Sequence, residues 1–338
     1  MLQLSGQDGG GQILRTALTL SLLTGQPFRL TDIRGARKKP GLQRQHLTCV
    51  QAATQISHAA TDGAELNSTE LLFTPGEVQP GNYHFRIGTA GSTILLAQTL
   101  LLALTSANGD SVLTLEGGTH NPLAPSLDFF DRVFRPAIAN FGIQFEVELI
   151  TPGFAPAGGG KIELRIPGNQ TLRPYHYPDR GAEKARFFEI FAVNLPDHVA
   201  PSQLDLFEKS RLFENHLDQH RVRLFPDSPG SASLVQAEVH FEHASELVTN
   251  HGAFGKSSKR VVHGATSALS HFIHSGAQAG PHLADQLLLP IALGGGGSFT
   301  TLRETNHLRT NHRTIAAFLP GVDFDVGPIA NDLVKVTL

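Results

Sequence analysis

Five cations, Arg34, Arg37, Lys38, Lys39 and Arg44, fall within eleven positions of a stretch that ends on Gln45-His46. Pro40-Gly41 forces a turn inside it, just ahead of a helical pattern, so backbone N–H groups and basic side chains converge. Such a cluster suits phosphate, because Arg forks take its oxygens in pairs and a helix N-terminus favours an anion. Charge alone reads equally well as a solvated basic loop. The glycine turn beside it favours a binding loop.

Gly9-Gly10-Gly11-Gln12, ahead of another helical run, would let a phosphate approach the backbone closely. It is no Walker A sequence, since no Gly-Lys-Ser/Thr follows, and its spacing is wrong for a dinucleotide fingerprint. The same holds for Gly294 to Gly297, and glycine runs alone more often mark tight turns. Asp8 is a hard-oxygen carboxylate that could hold Mg²⁺ or Mn²⁺ carrying a triphosphate; taken alone it reads as a helix N-cap.

The chain has 17 histidines, too many for each to matter. The pairs His240/His243 and His271/His274 have helical or near-helical spacing without a third ligand, and read as surface residues. His307 sits in Asn306-His307-Leu308-Arg309-Thr310-Asn311, on a predicted loop after a strand and before the last helix. Amide and hydroxyl neighbours there could fix the tautomer and orientation of an imidazole. A neutral ring nitrogen is a competent nucleophile toward phosphorus, and the phosphoramidate it forms is labile enough to pass its group on.

Three segments must position these groups, and they share one order of elements. The first runs through the helix Ile13 to Leu23, the strand Pro27 to Ile33, the helix Leu42 to Ile56, and strand-like pieces at Glu65-Leu66 and Leu71 to Phe73. The second repeats it with Ile94 to Leu104, Ser111 to Leu115, Ser126 to Asn140, Gln144 to Ile150 and Lys161 to Ile166. The third has Pro281 to Leu293, Ser298 to Leu302, Asn311 to Leu319, Val322 to Val326 and Leu333 to Thr337. Glycine at helix ends and apolar periodicity support these elements. A period of about 80 residues is too long for a solenoid, which predicts three α/β units around a shared core. Residues 180–277 do not fit the plan and read as an inserted α+β domain, with 1–179 and 278–338 forming the large domain.

A chain of 338 residues with 40% hydrophobic and 17% charged content is long enough for two cores. A formal charge of -3 excludes a generally basic nucleic-acid coat but leaves room for a local basic patch. Cys49 is the only cysteine, so no disulfide within the chain and no thiolate cluster is possible; a small core residue is expected. The N-terminus runs into Asp8-Gly9 without a basic-then-apolar signal segment, and the apolar run Ile94 to Leu104 is too short to span a bilayer. The expectation is a soluble, cytoplasmic protein with no membrane partner, its oligomeric state left open.

Several collinear stretches resemble the RNA 3'-terminal phosphate cyclase family. They are Gly9 to Arg15, Arg37 to His46, Gly117-Gly118-Thr119-His120-Asn121-Pro122, Pro152-Gly153-Phe154 with Pro156 to Gly160, Leu283 to Leu287, and His307-Leu308 with Thr310-Asn311. The resemblance implies three α/β repeats related to the enolpyruvyl-transferase architecture, with a smaller inserted α+β domain. It implies that His307 takes AMP from ATP, passes it to an RNA 3'-phosphate, and that the 2'-OH then closes a 2',3'-cyclic phosphate and expels AMP. Gln98, Pro125 and the run His282, Leu283, Ala284, Asp285, Gln286 fall where the family contacts the nucleotide. Arg15, Arg34, Arg37 and Gln45 fall where it gathers phosphates and the RNA end. Asp8 replaces a Glu that usually holds the divalent metal, and His282 stands where a Tyr often stacks on adenine. Two rival readings are a cyclase-like ribosome-assembly factor without adenylylation and an enolpyruvyl transferase. The presence of His307 counts against the first, and the Asp285-Gln286 and His307 motifs count against the second.

Overall fold

A computed structural model describes residues 1–214, 220–226, 228–329 and 333–338. The first unit is β1 (Leu2–Ser5), α1 (Gly11–Thr24), β2 (Phe28–Thr31), α2 (Arg44–Ser57), β3 (Ala60–Asp62) and β4 (Leu71–Thr74). The second is β5 (Asn82–Arg86), α3 (Thr93–Ser106), β6 (Ser111–Gly117), a helix of α4 (Leu127–Phe129), a π turn (Phe130–Phe134) and α5 (Arg135–Ala139), then β7 (Glu146–Thr151) and β8 (Gly160–Ile166). The third opens with β9 (Tyr175–His176). An inserted region follows: β10 (Glu183–Val193), α6 (Val199–Glu208), β11 (His220–Phe225), β12 (Ala232–Phe241), β13 (Ser245–His251) and α7 (Ser258–Ser275). The third unit resumes with α8 (Pro281–Gly294), β14 (Gly297–Thr301), α9 (Asn306–Phe318), β15 (Asp325–Pro328) and β16 (Val334–Thr337). Positions 215–219 and 227 of the predicted insertion lie outside the described residues.

The three units have one topology. Their sheets run β1-β2-β4-β3, β5-β6-β8-β7 and β9-β14-β16-β15. In each, the first two strands are parallel across a helix and the last two join antiparallel. The repeat is therefore βαβαββ, one strand longer at its start than the sequence pattern shows. That strand is only two residues long in the third unit, too short for an alternating signal. It also places the insertion inside the third unit, between β9 and α8, rather than before it. Glu65 and Leu66, predicted as strand, lie in a turn; Gly63 and Asn67 on either side have positive φ, which a strand excludes.

Hydrophobic helices α1, α3 and α8 fill the shared core. α3 is buried on nearly every side, as its unbroken apolar run predicts, and Leu96, Leu100 and Leu104 are fully buried. Each such side chain contributes roughly 1.5–3 kcal/mol by leaving water. Thr19 Oγ1 donates to the Thr99 carbonyl at 2.8 Å and ties α1 to α3. Cys49 is buried in this core, and burial raises its thiol pKa. No helix among the described residues is long and apolar enough to cross a membrane.

The inserted region packs its own core, with Phe188 stacked on Phe207 at 4.3 Å. A buried charged junction joins it to the second unit. Asp128 accepts from His120 Nε2 and Arg132 Nη2, each at 2.7 Å, and from Gln236 Nε2 of β12 at 3.1 Å. Arg132 also reaches Glu189 at 2.5 Å and Glu238 at 2.8 Å. Burial alone would raise the Asp128 pKa, but His120, Arg132 and Arg223 overcome it and hold the carboxyl well below its usual range. His240, read from sequence as a surface residue, joins this cluster through Glu238; His271 and His274 are exposed as expected.

A second contact links the insertion to α8. Glu246 of β13 is 4% exposed, and its carboxyl occupies the space where a Cβ on Gly280, the N-cap of α8, would sit. Burial pushes its pKa up to about 8 against the backbone N–H groups of Leu247 and Gly280. An unfolded glutamate titrates near pH 4.3, so between about 4.3 and 8 the folded chain holds a proton that the unfolded chain has lost. Folding stability should therefore fall as pH rises through that window, by at most about 1.4 kcal/mol per pH unit from this group. Urea denaturation of wild type and Glu246→Gln at several pH values checks this, with the variant expected to lose that slope.

Candidate active site

A cavity of about 890 Å³ opens where α1, the basic loop, α2, α3, α8, α9 and β13 converge. His307, Arg15, Arg34, Arg37, Gln45, Gln98, Pro125, His282, Asp285 and Gln286 all line it. Residues separated by up to 295 positions are thus neighbours: Thr16 Oγ1 of α1 donates to Asn311 Oδ1 of α9 at 2.7 Å, and Asn311 Nδ2 donates to the Asp285 carbonyl of α8 at 2.7 Å. Asn311 and Thr16 are both buried, so this bridge fixes three helices at the cavity floor.

His307 is the second residue of α9 rather than part of a loop, because Thr305 caps the helix and its Oγ1 accepts the Leu308 N–H at 2.9 Å. The ring is half exposed, and Nδ1 lies 3.5 Å from Asp285 Oδ2. A carboxylate on that side favours the proton on Nδ1 and leaves Nε2 with a free lone pair. Asp285 Oδ1 is buried and has no hydrogen-bond partner among the described residues. The ring's charged neighbour is thus a carboxylate from α8, while Thr310 Oγ1 and Gln12 Nε2 donate to the His307 carbonyl at 3.2 and 3.3 Å.

Among the described residues, none of Arg15, Arg34 and Arg37 has a carboxylate within 4.0 Å. Arg34 has positive φ and folds back to donate to the Lys39 carbonyl at 2.6 Å and the Gly41 carbonyl at 3.1 Å, which shapes the basic loop. Burial lowers the Arg15 pKa, partly offset by Cys49 and Asp285, and burial with Arg37 lowers that of Arg34. Both remain guanidinium cations near neutrality. Gln45 Oε1 accepts the Ser92 N–H at 2.9 Å at the start of α3, and Gln98 Nε2 donates to Gln286 Oε1 at 2.6 Å.

Gly10 and Gly11 line the cavity, and they also leave space for neighbouring side chains. A Cβ on Gly10 would lie 3.0 Å from Arg37 Nη2, and one on Gly11 would lie 2.1 Å from His46 Nε2 and 3.0 Å from Arg15 Nη1. The glycines make room for cationic and imidazole side chains. His46 lines the cavity too, although its place at the end of the basic motif did not single it out. Burial, followed by Arg15 and Arg34, lowers its pKa to about 3, so the ring is neutral.

Three predicted residues do not reach the cavity. Leu283 and Ala284 are 2% and 0% exposed; a helix turns about 100° per residue, so α8 presents 282, 285, 286 and 289 to the cavity and these two to the core. Asp8 lies outside it, where it accepts from Arg313 Nη2 at 3.1 Å. Among the described residues no group of three or more His, Cys, Asp or Glu side chains could hold a metal ion. One carboxylate engaged by a guanidinium does not make a resident metal centre. The insertion supplies a wall that the sequence did not disclose: Leu247, Thr249 and His251 alternate along β13 and all line the cavity.

Three α/β units with a carboxylate-facing histidine and three guanidiniums in one cavity define an α/β protein whose site is built for a polyanion. A family model described as RNA 3'-terminal phosphate cyclase matches residues 7–326. Relatives with that name come from Pseudomonas fluorescens (43% identical over 99% of this chain and 97% of the relative), Koribacter versatilis (44%, over 96% and 90%) and Salmonella enteritidis (42%, over 93% and 91%). The chain belongs to the RNA 3'-terminal phosphate cyclase family. A solved enolpyruvyl transferase from Streptomyces tendae is matched over 50% of this chain and 33% of its own, at 16% identity and a TM-score of 0.30, a likeness too slight to argue from.

Gly11→Ala should displace His46 and Arg15 and cost about 1–3 kcal/mol of stability as an overpacking change. Chemical denaturation and covalent labelling by ATP on the same preparation check it, and labelling is expected to fall by more than the folded fraction.

Proposed function

We propose that this chain converts an RNA 3'-terminal phosphate to a 2',3'-cyclic phosphate at the expense of ATP, with His307 as the nucleophile. The observation that carries the reading is the shared cavity of His307, oriented by Asp285, and the three carboxylate-free guanidiniums. His307 Nε2 attacks the α-phosphorus of ATP, a P–N bond forms, the bond to the bridging oxygen breaks, and pyrophosphate leaves. An oxygen of the RNA 3'-phosphate then attacks the same phosphorus, the P–N bond breaks, and AMP is joined to the RNA end. The terminal 2'-hydroxyl attacks the activated 3'-phosphorus, loses its proton to solvent, and AMP leaves. The last step is favoured by proximity, since the hydroxyl is on the same ribose.

Displacements at phosphorus run roughly in line. Pyrophosphate must therefore leave, and the RNA phosphate arrive, on the face opposite His307. Arg15, Arg34 and Arg37, with Gln45 beside them, serve both groups in turn and offset the charge that develops at each phosphoryl centre. Gln98, Pro125, His282 and Gln286 take the nucleoside of ATP. Asp8, outside the cavity and engaged by Arg313, is assigned no part in these steps. The reading puts the reaction in the cytoplasm.

Incubation with ATP labelled at the α-phosphate and a divalent metal should put an acid-labile label on wild type and none on His307→Ala. Asp285→Asn should reduce labelling on the order of 100-fold. A folded wild type that takes no label with any metal overturns the mechanism and leaves a binding factor of the same family. His282 offers adenine a smaller flat face than a Tyr would, so labelling efficiency with GTP should fall within about tenfold of that with ATP, a difference of about 1.4 kcal/mol. Strict ATP dependence would remove that assignment.

A further inference from the structure

The two most exposed large apolar side chains of the described residues belong to chain segments that border the cavity. Leu123 is 104% exposed, has a positive φ of 65°, and lines the cavity on the loop before α4. Phe254 is 109% exposed, three residues beyond His251 at the end of the β13 wall. Ser126, three residues after Leu123, touches the strand that leads into the Phe254 loop: its Oγ lies 3.4 Å from Thr249 Oγ1 of β13 and accepts from Gln236 Nε2 of β12 at 3.1 Å. Lys256 Nζ donates to Asn250 Oδ1 at 2.9 Å and the His251 carbonyl at 2.7 Å, so the loop closes on itself with Phe254 outside. The left-handed backbone of Leu123 is strained for a non-glycine residue, and both side chains offer a ligand apolar surface that the chain itself leaves uncovered.

The charges beside Phe254 point the same way. Lys259 and Arg260 occupy the first turn of α7, are exposed, and have no carboxylate within 4.0 Å among the described residues. That turn has no acidic residue, so two cations sit at the end of the helix where its dipole disfavours them. An anionic, flat-faced ligand is complementary to both features.

We infer that the rim made by Leu123, Phe254, Lys259 and Arg260 is the track of the RNA strand, which stacks a base on Phe254 and lays its phosphates against the two cations. The inference rests on the cyclase reading in one respect, that the strand's 3'-phosphate lies inside the cavity this rim borders. Single strands are held in this way by aromatic platforms beside a basic groove, with little sequence preference. The insertion then does more than wall the cavity: it grips the substrate upstream of the reacting end.

The protein contains no tryptophan, so Phe254→Trp places a lone fluorophore on the proposed platform. Titration with a single-stranded RNA oligonucleotide bearing a 3'-phosphate should quench it saturably. Phe254→Ala should weaken binding of a dye-labelled oligonucleotide of this kind, without ATP, by about fivefold or more. Lys259→Gln with Arg260→Gln should lower the slope of log affinity against log salt by about 1.4, at roughly 0.7 per cation on a single strand. Labelling by ATP alone should be unchanged in all three variants. Unquenched emission with wild-type affinity in Phe254→Ala and an unchanged salt slope would overturn the track. Failure of wild type to take label from ATP would overturn the cyclase reading instead, because RNA binding is read without nucleotide.

Discussion

Arg15 and Arg34, partly buried, and the exposed Arg37 line one cavity with no carboxylate within 4.0 Å among the described residues, and their like charges repel. The apolar core of α1, α3 and α8 and the buried bridge from Thr16 through Asn311 to Asp285 hold them there. Much else in the cavity follows from that confinement. His46 stays neutral because it is buried and, second, because Arg15 and Arg34 stand beside it, and a larger residue at Gly11 would meet the His46 imidazole and the Arg15 guanidinium. A polyanion is the ligand whose charge would relieve the repulsion.

The junction of insertion and second unit solves a different problem. Buried ion pairs are weak sources of stability, since desolvation offsets most of their attraction, but removing one partner is costly. Asp128, Arg132, Glu189 and Glu238 tie the insertion to the second unit through contacts that are costly to break singly. The position they set is that of β13, whose Leu247, Thr249 and His251 close the cavity, and of the Glu246 carboxyl packed against the first turn of α8. An inserted segment that moved freely could not supply a wall to the site.

Most helices were legible because their signals are local. The apolar runs of α1 and α3 follow the chain, and glycine marks the C-terminal end of α1. The start of α9 was missed by five residues because Thr305 was not recognised as its cap. The opening strands β1, β5 and β9 were missed for a related reason: four, five and two residues leave too few alternations to detect. Leu283 and Ala284 came into the site with a contiguous run, although helical periodicity sends them to the core. His46 and the β13 wall carried no sequence signal, since neither a histidine beside a basic loop nor alternating residues in a strand point to a cavity.

The sequence by itself determined that three α/β repeats recur at a spacing of about 80 residues, that cations gather after Ile33, and that one histidine stands in a context unlike the rest. These follow from residue type and near-neighbour spacing, which a linear reading can count. Only the tertiary structure decided that Asp285 faces His307, that Asp8 pairs with Arg313, and that the glycines make room for side chains. Each joins parts of the chain that only packing brings together, and the direction of a side chain depends on which face of its helix the core has taken.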